Sequence, residues 1–165
     1  MKQVKTAQFT SRIHFVHCSA LHYNSANTVE EVRDMAKLTA EMKALMSSQQ
    51  VFVGTASPDG KPSIGLKGSA RVQDDEHIVF FEMAGGRTWE NIQKNPQVAI
   101  VVADRAKMQG FRFEGKVEEL LTSGPLYDEA KKLSEAMKIP VPPKAAVVVE
   151  IKEIYDLGKG GRKVA

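Results

Sequence analysis

Val51-Phe52-Val53-Gly54-Thr55-Ala56, then Ser57-Pro58-Asp59-Gly60, then the return Lys61-Pro62-Ser63-Ile64-Gly65-Leu66, is the stretch that decides the fold. The first run suits an extended chain, and the Pro-Asp-Gly set favours a tight turn because proline presets φ and glycine accepts a positive one. Two strands joined by so short a turn pair antiparallel. Strand then follows strand: Ala70 to Val72, an acidic turn at Asp74-Asp75-Glu76, and the apolar run Ile78-Val79-Phe80-Phe81.

Further on, Val98 to Val102 is apolar on both faces and reads as a central strand. Gln109 to Leu120 alternates, with Phe111, Phe113, Gly115 and Val117 on one face and Arg112, Glu114, Lys116 and Glu118 on the other. Ser123-Gly124-Pro125 opens a helix whose Leu126, Ala130, Leu133 and Met137 share a face, and Ile139-Pro140 stops it. A last strand, Ala146 to Ile154, precedes a glycine- and lysine-rich tail. Upstream, Leu38, Met42, Leu45 and Met46 recur at helical spacing behind a cap at Thr39. Strands that succeed one another without βαβ alternation predict a mainly β (α+β) fold, an antiparallel β-barrel with short helices packed outside.

The composition suits one globular domain: 165 residues, 42% hydrophobic. Lys+Arg 23 against Asp+Glu 20 leaves a net +3 and no long basic run, so the charge does not call for nucleic acid. No apolar stretch is long enough to cross a membrane as a helix, and one cysteine excludes an internal disulfide, which points to a cytoplasmic protein. Residues 1–34 hold Cys18 and three of the four histidines (His14, His17, His22) in a pattern that matches no metal-ligand spacing, so no metal is expected. They read as a poorly ordered extension, with Met35 as the expected true start and 35–165 as the domain; the alternative is a helical arm opened by a capping box at Thr28-Val29-Glu30-Glu31.

The chemistry concentrates in Ala84-Gly85-Gly86-Arg87-Thr88-Trp89-Glu90-Asn91-Ile92. Glycines let backbone approach a ligand, Thr88 is placed to cap a short helix ended by Asn95-Pro96, and Arg87 adds a forked cation, a combination suited to phosphate. No catalytic triad or carboxylate pair accompanies it.

With Thr39-Ala40-Glu41-Met42, the hairpin Ala56 to Pro62, Leu66-Lys67-Gly68-Ser69, the Gly85-Gly86-Arg87-Thr88 loop with Asn91 and Asn95-Pro96, and Gln109, the chain from Met35 onward resembles the FMN-binding split-barrel family typified by pyridoxamine 5′-phosphate oxidase. The segment Asp156-Leu157-Gly158-Lys159 brings it nearer the small flavin-nucleotide-binding members. The resemblance implies a split barrel that binds FMN at the interface of a homodimer. It implies Arg87 and Thr88 at the phosphate, Lys67 and Ser69 near phosphate or ring, Glu82, Met83 and Ala84 beside the isoalloxazine, Asn91 bracing the loop, and Gln109 as an amide tuning the ring.

The function expected from this resemblance is an FMN-dependent oxidoreductase of unknown substrate, with NADH or NADPH as a candidate electron donor. The alternatives are a flavin-binding or electron-carrier protein without turnover, and a related barrel holding deazaflavin or haem. The oxidase's arginine-rich ending is replaced here by Gly158-Lys159-Gly160-Gly161-Arg162-Lys163-Val164-Ala165, so vitamin oxidation is not expected. Arg105 with Lys107 reads as a solvated turn, the alternative being contact with an anionic substrate.

Overall fold

A computed structural model describes residues 36–83 and 85–165; the expectations for residues 1–34, for the start at Met35 and for Ala84 lie outside them. In chain order the elements are α1 (Ala40–Ser48), β1 (Val51–Ala56), β2 (Pro62–Leu66), β3 (Arg71–Val72), β4 (His77–Glu82), α2 (Arg87–Ile92), β5 (Gln97–Asp104), β6 (Gln109–Leu121), α3 (Pro125–Ala136), β7 (Ala145–Asp156) and β8 (Arg162–Lys163). Every strand pair is antiparallel, in the order β2-β1-β5-β6-β7-β4-β3, with β8 added to β7.

Strands consecutive in the chain, β2 and β3, lie at opposite ends of that seven-strand path, and only Lys67-Gly68-Ser69-Ala70 joins them. In a flat sheet the two would sit about 29 Å apart. The linker can span roughly 18 Å at full extension, and it is shortened further by a turn in which Ala70 N–H donates to the Lys67 carbonyl. The sheet therefore curls until its edges meet across this loop. The result is an antiparallel split barrel.

The core follows from strand parity. On β4, Ile78 and Phe80 point into the barrel, while Val79 and Phe81 point out beneath α3 with Ala130, Ala146 and Val148. That two-sided burial is why β4 and β7 read as continuous apolar runs. At the start of α1, Thr39 forms the expected cap, its hydroxyl accepting from Met42 N–H while Met42 sulfur takes the Thr39 N–H. Leu38, Met42, Leu45 and Met46 are all buried.

Two local expectations change, and the tail adds an element: β8 pairs Arg162 with Asp156, and the Ala165 carbonyl accepts from Ile154 N–H. Met137 ends α3 with 61% of its surface exposed rather than continuing the apolar face, because the helix stops one residue earlier. Thr88 does not cap α2; Gly86 stands at that position with φ 104°.

Candidate functional site

The helix α2 seats against one end of the barrel through residues whose spacing in sequence gives no hint of it. Asn91 is buried, and its amide donates to Thr55 Oγ1 at 3.0 Å; Asn95 donates to the Ala56 carbonyl at 3.1 Å. Both bonds tie the helix to the end of β1. Thr88, also buried, lies over Gly65 of β2: a Cβ at Gly65 would stand 3.1 Å from Thr88 Oγ1 and 3.7 Å from Lys67 Cε. The missing side chain at Gly65 is what lets Thr88 and Lys67 converge.

Lys67 turns inward. Its Nζ lies 2.5 Å from Glu82 Oε2 and 5.4 Å from the centroid of Phe80, and the lysine and glutamate side chains are only 12% and 4% exposed. Ser69 is tied to the same strand, its hydroxyl accepting from Phe81 N–H at 2.9 Å. The closing loop is thus fastened to the end of β4 by an ion pair and a backbone contact. Beside it opens a pocket of about 400 Å³ whose wall is Leu66, Lys67, Ser69, Phe81 and Met83, completed by Leu133, Met137 and Ile139 from the end of α3 and beyond. Its surface is largely apolar and its polar groups are few, the usual make-up of a small-molecule site.

The Gly85-Gly86-Arg87 segment borders this pocket. Gly85 and Gly86 have φ of 86° and 104°, a region side chains disfavour. Arg87 is exposed and makes no ion pair or hydrogen bond among the described residues. Lys144, which sequence reading missed, runs its stem over Gly85, with its Cε 3.4 Å from the position a Cβ would take, and it too has no ion-pair partner among the described residues. Its place comes from Lys144 N–H donating to the Glu82 carbonyl at 2.7 Å, ahead of the β4–β7 pairing. Only a strand-pairing register carries that information.

Of the anticipated residues, Lys67, Ser69, Glu82 and Met83 line one pocket, Thr88 meets Lys67 at Gly65, and Asn91 holds α2 in place. Gln109 stands apart. The row through Thr55 crosses β5 at Val98 and β6 at Gly115, six residues from Gln109, which is about 20 Å along the strand. Gln109 is exposed and donates to Glu41 Oε1 of α1 at 3.2 Å. Within one protomer it does not meet the Arg87 group.

The second basic cluster resolves as a turn: Asp104 Oδ1 accepts from Ala106 and Lys107 N–H, and Lys107 Nζ lies 3.7 Å from Asp104.

The sequence profile of pyridoxamine 5′-phosphate oxidase matches residues 38–158. The chain belongs to the pyridoxamine 5′-phosphate oxidase family. Family membership spans every element from α1 to β7 that shapes the pocket and leaves β8 outside. The uncharacterized protein MJ0282 of Methanocaldococcus jannaschii is 33% identical over 128 residues, covering 76% of this chain and 85% of that protein. Among solved structures, HupZ of Group A Streptococcus is 34% identical with a TM-score of 0.68, over 78% of this chain and 99% of HupZ. An FMN-binding protein from Syntrophomonas wolfei shares the fold at 17% identity, with a TM-score of 0.61 over 70% of this chain and 82% of that one.

Proposed function

We propose that this protein binds FMN and acts as an FMN-dependent oxidoreductase. The observation that carries the reading is a pair of cations without ion-pair partners among the described residues, Arg87 and Lys144, at the positive-φ glycines beside a 400 Å³ apolar pocket. A phosphate needs charge and close backbone, and a flat aromatic ring needs an apolar slot; both requirements are met within one neighbourhood. The FMN-binding protein from Syntrophomonas wolfei supports the idea that a barrel of this shape accommodates FMN.

Bound flavin supplies the redox chemistry. In this reading, Arg87 and Lys144 neutralise the phosphate, and the Gly85-Gly86 backbone gives it room to approach. Lys67 stays paired with Glu82 and offers its remaining N–H donors to the ring edge, while Ser69 holds the closing loop against β4.

The protein works as a homodimer in this proposal. The outer face of β1 and β2 sets Phe52 opposite Leu66 and Gly54 opposite Ile64, with 44%, 57% and 75% of Phe52, Leu66 and Ile64 exposed. Such a patch on a sheet face is covered by association, and a twofold partner is the commonest cover. In this reading the Gln109 that meets the flavin comes from the partner subunit.

Reconstitution with FMN, followed by a visible spectrum, tests the reading. We expect the two-banded spectrum of an oxidised flavin that survives gel filtration, and bleaching when NADH or NADPH is added. A bound flavin that no nicotinamide donor bleaches would favour a carrier without turnover, and a single intense haem band after haem addition with no flavin retention would overturn the proposal. Arg87→Ala should weaken FMN about ten- to a hundredfold by removing a charge-assisted bond of about 1.5–3 kcal/mol. Riboflavin, which lacks the phosphate, should bind the variant as it binds the parent.

A further inference from the structure

The closing loop Lys67–Ala70 is the common wall of two cavities. One is the apolar pocket already described. The other, of about 480 Å³, lies between the loop, the end of α1 and β3, and its polar surface includes Lys43, Ser47, Gln50, Lys67, Ser69 and Arg71. Three cations line it and, among the described residues, no carboxylate does.

The carboxylates that partner these cations stand outside the lining: Asp75 with Lys43, Glu82 with Lys67, Glu129 with Arg71. Two of the three pairs are exposed, Lys43 and Asp75 at 37% and 66%, Arg71 and Glu129 at 38% and 52%. Exposed pairs contribute little because water competes for both partners, so Lys43 can turn to another anion at small cost, while Arg71, whose guanidinium also lies 4.8 Å from the centroid of Phe81, can offer one its remaining N–H donors. The third, Lys67, is anchored by its buried glutamate and stays at the junction of the two cavities.

The C-terminal end of α1 opposes an anion through its free carbonyls. Of the last carbonyls, that of Leu45 is taken by Gln49 N–H, and the three lining cations outweigh the partial charge of the rest. What is left facing the cavity is cationic and rich in side-chain amides and hydroxyls, a surface for phosphates carried on a hydroxyl-bearing frame.

We propose that this second cavity holds the phosphate-bearing half of a nicotinamide dinucleotide, whose other half crosses the Lys67–Ala70 loop toward the apolar pocket. The inference rests on the flavin reading for its hydride acceptor, but the cavity's preference for phosphate stands on Lys43 and Arg71, which the flavin reading does not use. An anion held on one side of a four-residue wall places the rest of the molecule within reach of a ring on the other.

The test uses ADP-ribose and its 2′-phosphate, which carry the phosphates without the reactive ring, titrated calorimetrically into the FMN-loaded full chain. Both should bind, more weakly as salt rises, and the combined Lys43→Gln and Arg71→Gln variant should weaken both at least tenfold while its FMN affinity is unchanged. Lys43→Gln alone, at an exposed site that folding tolerates, should give a smaller loss in the same direction. No binding to the parent protein, or binding that neither variant alters, would overturn the proposal. Should the parent fail to retain FMN, the flavin reading falls; the same titration on flavin-free protein then still reads the cavity, supporting its phosphate preference if the variants weaken binding and refuting it if they do not.

Discussion

Lys67 and Glu82, fifteen positions apart in sequence, form a buried ion pair at 2.5 Å that fastens the loop closing the barrel to the end of β4. The pair sits where the two edges of the sheet meet and where two cavities share a wall. Removing one partner leaves a buried charge without compensation, whereas replacing both with apolar groups removes the desolvation cost as well. Lys67→Met should therefore cost about 3–5 kcal/mol of stability, and adding Glu82→Leu to it should recover much of the loss. Urea unfolding of the two single variants and the double variant measures the coupling; additive effects would mean the pair does not hold the closure.

Gly115 lies at a register shift between β6 and β7, and a Cβ there would stand 2.4 Å from the Glu150 carbonyl oxygen and 3.0 Å from Val149 Cγ1. The nearer obstacle is backbone and cannot swing aside. Gly115→Ala should destabilise the fold by about 2–3 kcal/mol through forced strand displacement, seen as a lower urea midpoint. An unchanged midpoint would show that the β6–β7 ladder relaxes freely there.

The exposed row Phe52, Ile64 and Leu66 should be covered by a second copy of the chain. Ile64→Asp places a charge at the most exposed of the three and should convert the dimer to a monomer without unfolding the barrel. Analytical ultracentrifugation at micromolar concentration reads this directly. A parent protein that sediments as a monomer would remove the interface, and with it the route by which Gln109 reaches a flavin.

His77 predicts how stability depends on pH. Burial pulls its pKa down, but the hydrogen bond and charge of Asp74, with the charges of Glu118 and Glu150, outweigh it and raise it above the ordinary 6.5. Its ring nitrogens lie 2.8 Å from Asp74 Oδ1 and 3.1 Å from Glu118 Oε2, so both donate when the ring is charged. The folded state thus binds the proton more tightly than the unfolded one. The contribution is fully present below pH 6.5 and disappears as pH rises through the higher folded value. Urea midpoints should fall between mildly acidic and mildly alkaline pH in the parent, and His77→Gln should flatten that fall. An equal slope in the variant would assign the pH dependence to other groups.

Much of the architecture was legible from local pattern. The Pro-Asp-Gly turn, the Thr39 cap, the central place of β5 and the alternation of β6 each follow from local pattern and each is present, although β5 buries only the face of Val98, Ile100 and Val102. Thr88 misled because a helix start was read from residue type alone: its hydroxyl faces Gly65 on another strand, and Gly86 takes the end of the helix. The β8 strand was missed because two residues carry too little period to register as a strand.

The sequence by itself determined which segments extend, turn and coil, and it drew Lys67, Ser69, Glu82, Arg87 and Gln109 into one candidate set. Tertiary structure decided which of them meet. Periodicity and propensity are short-range, whereas the Lys67–Glu82 pair, Lys144 at Gly85 and the separation of Gln109 depend on how far a seven-strand sheet curls before four residues can join its edges. That curl is set by the sum of all the strand pairings, so no single stretch of the chain records it.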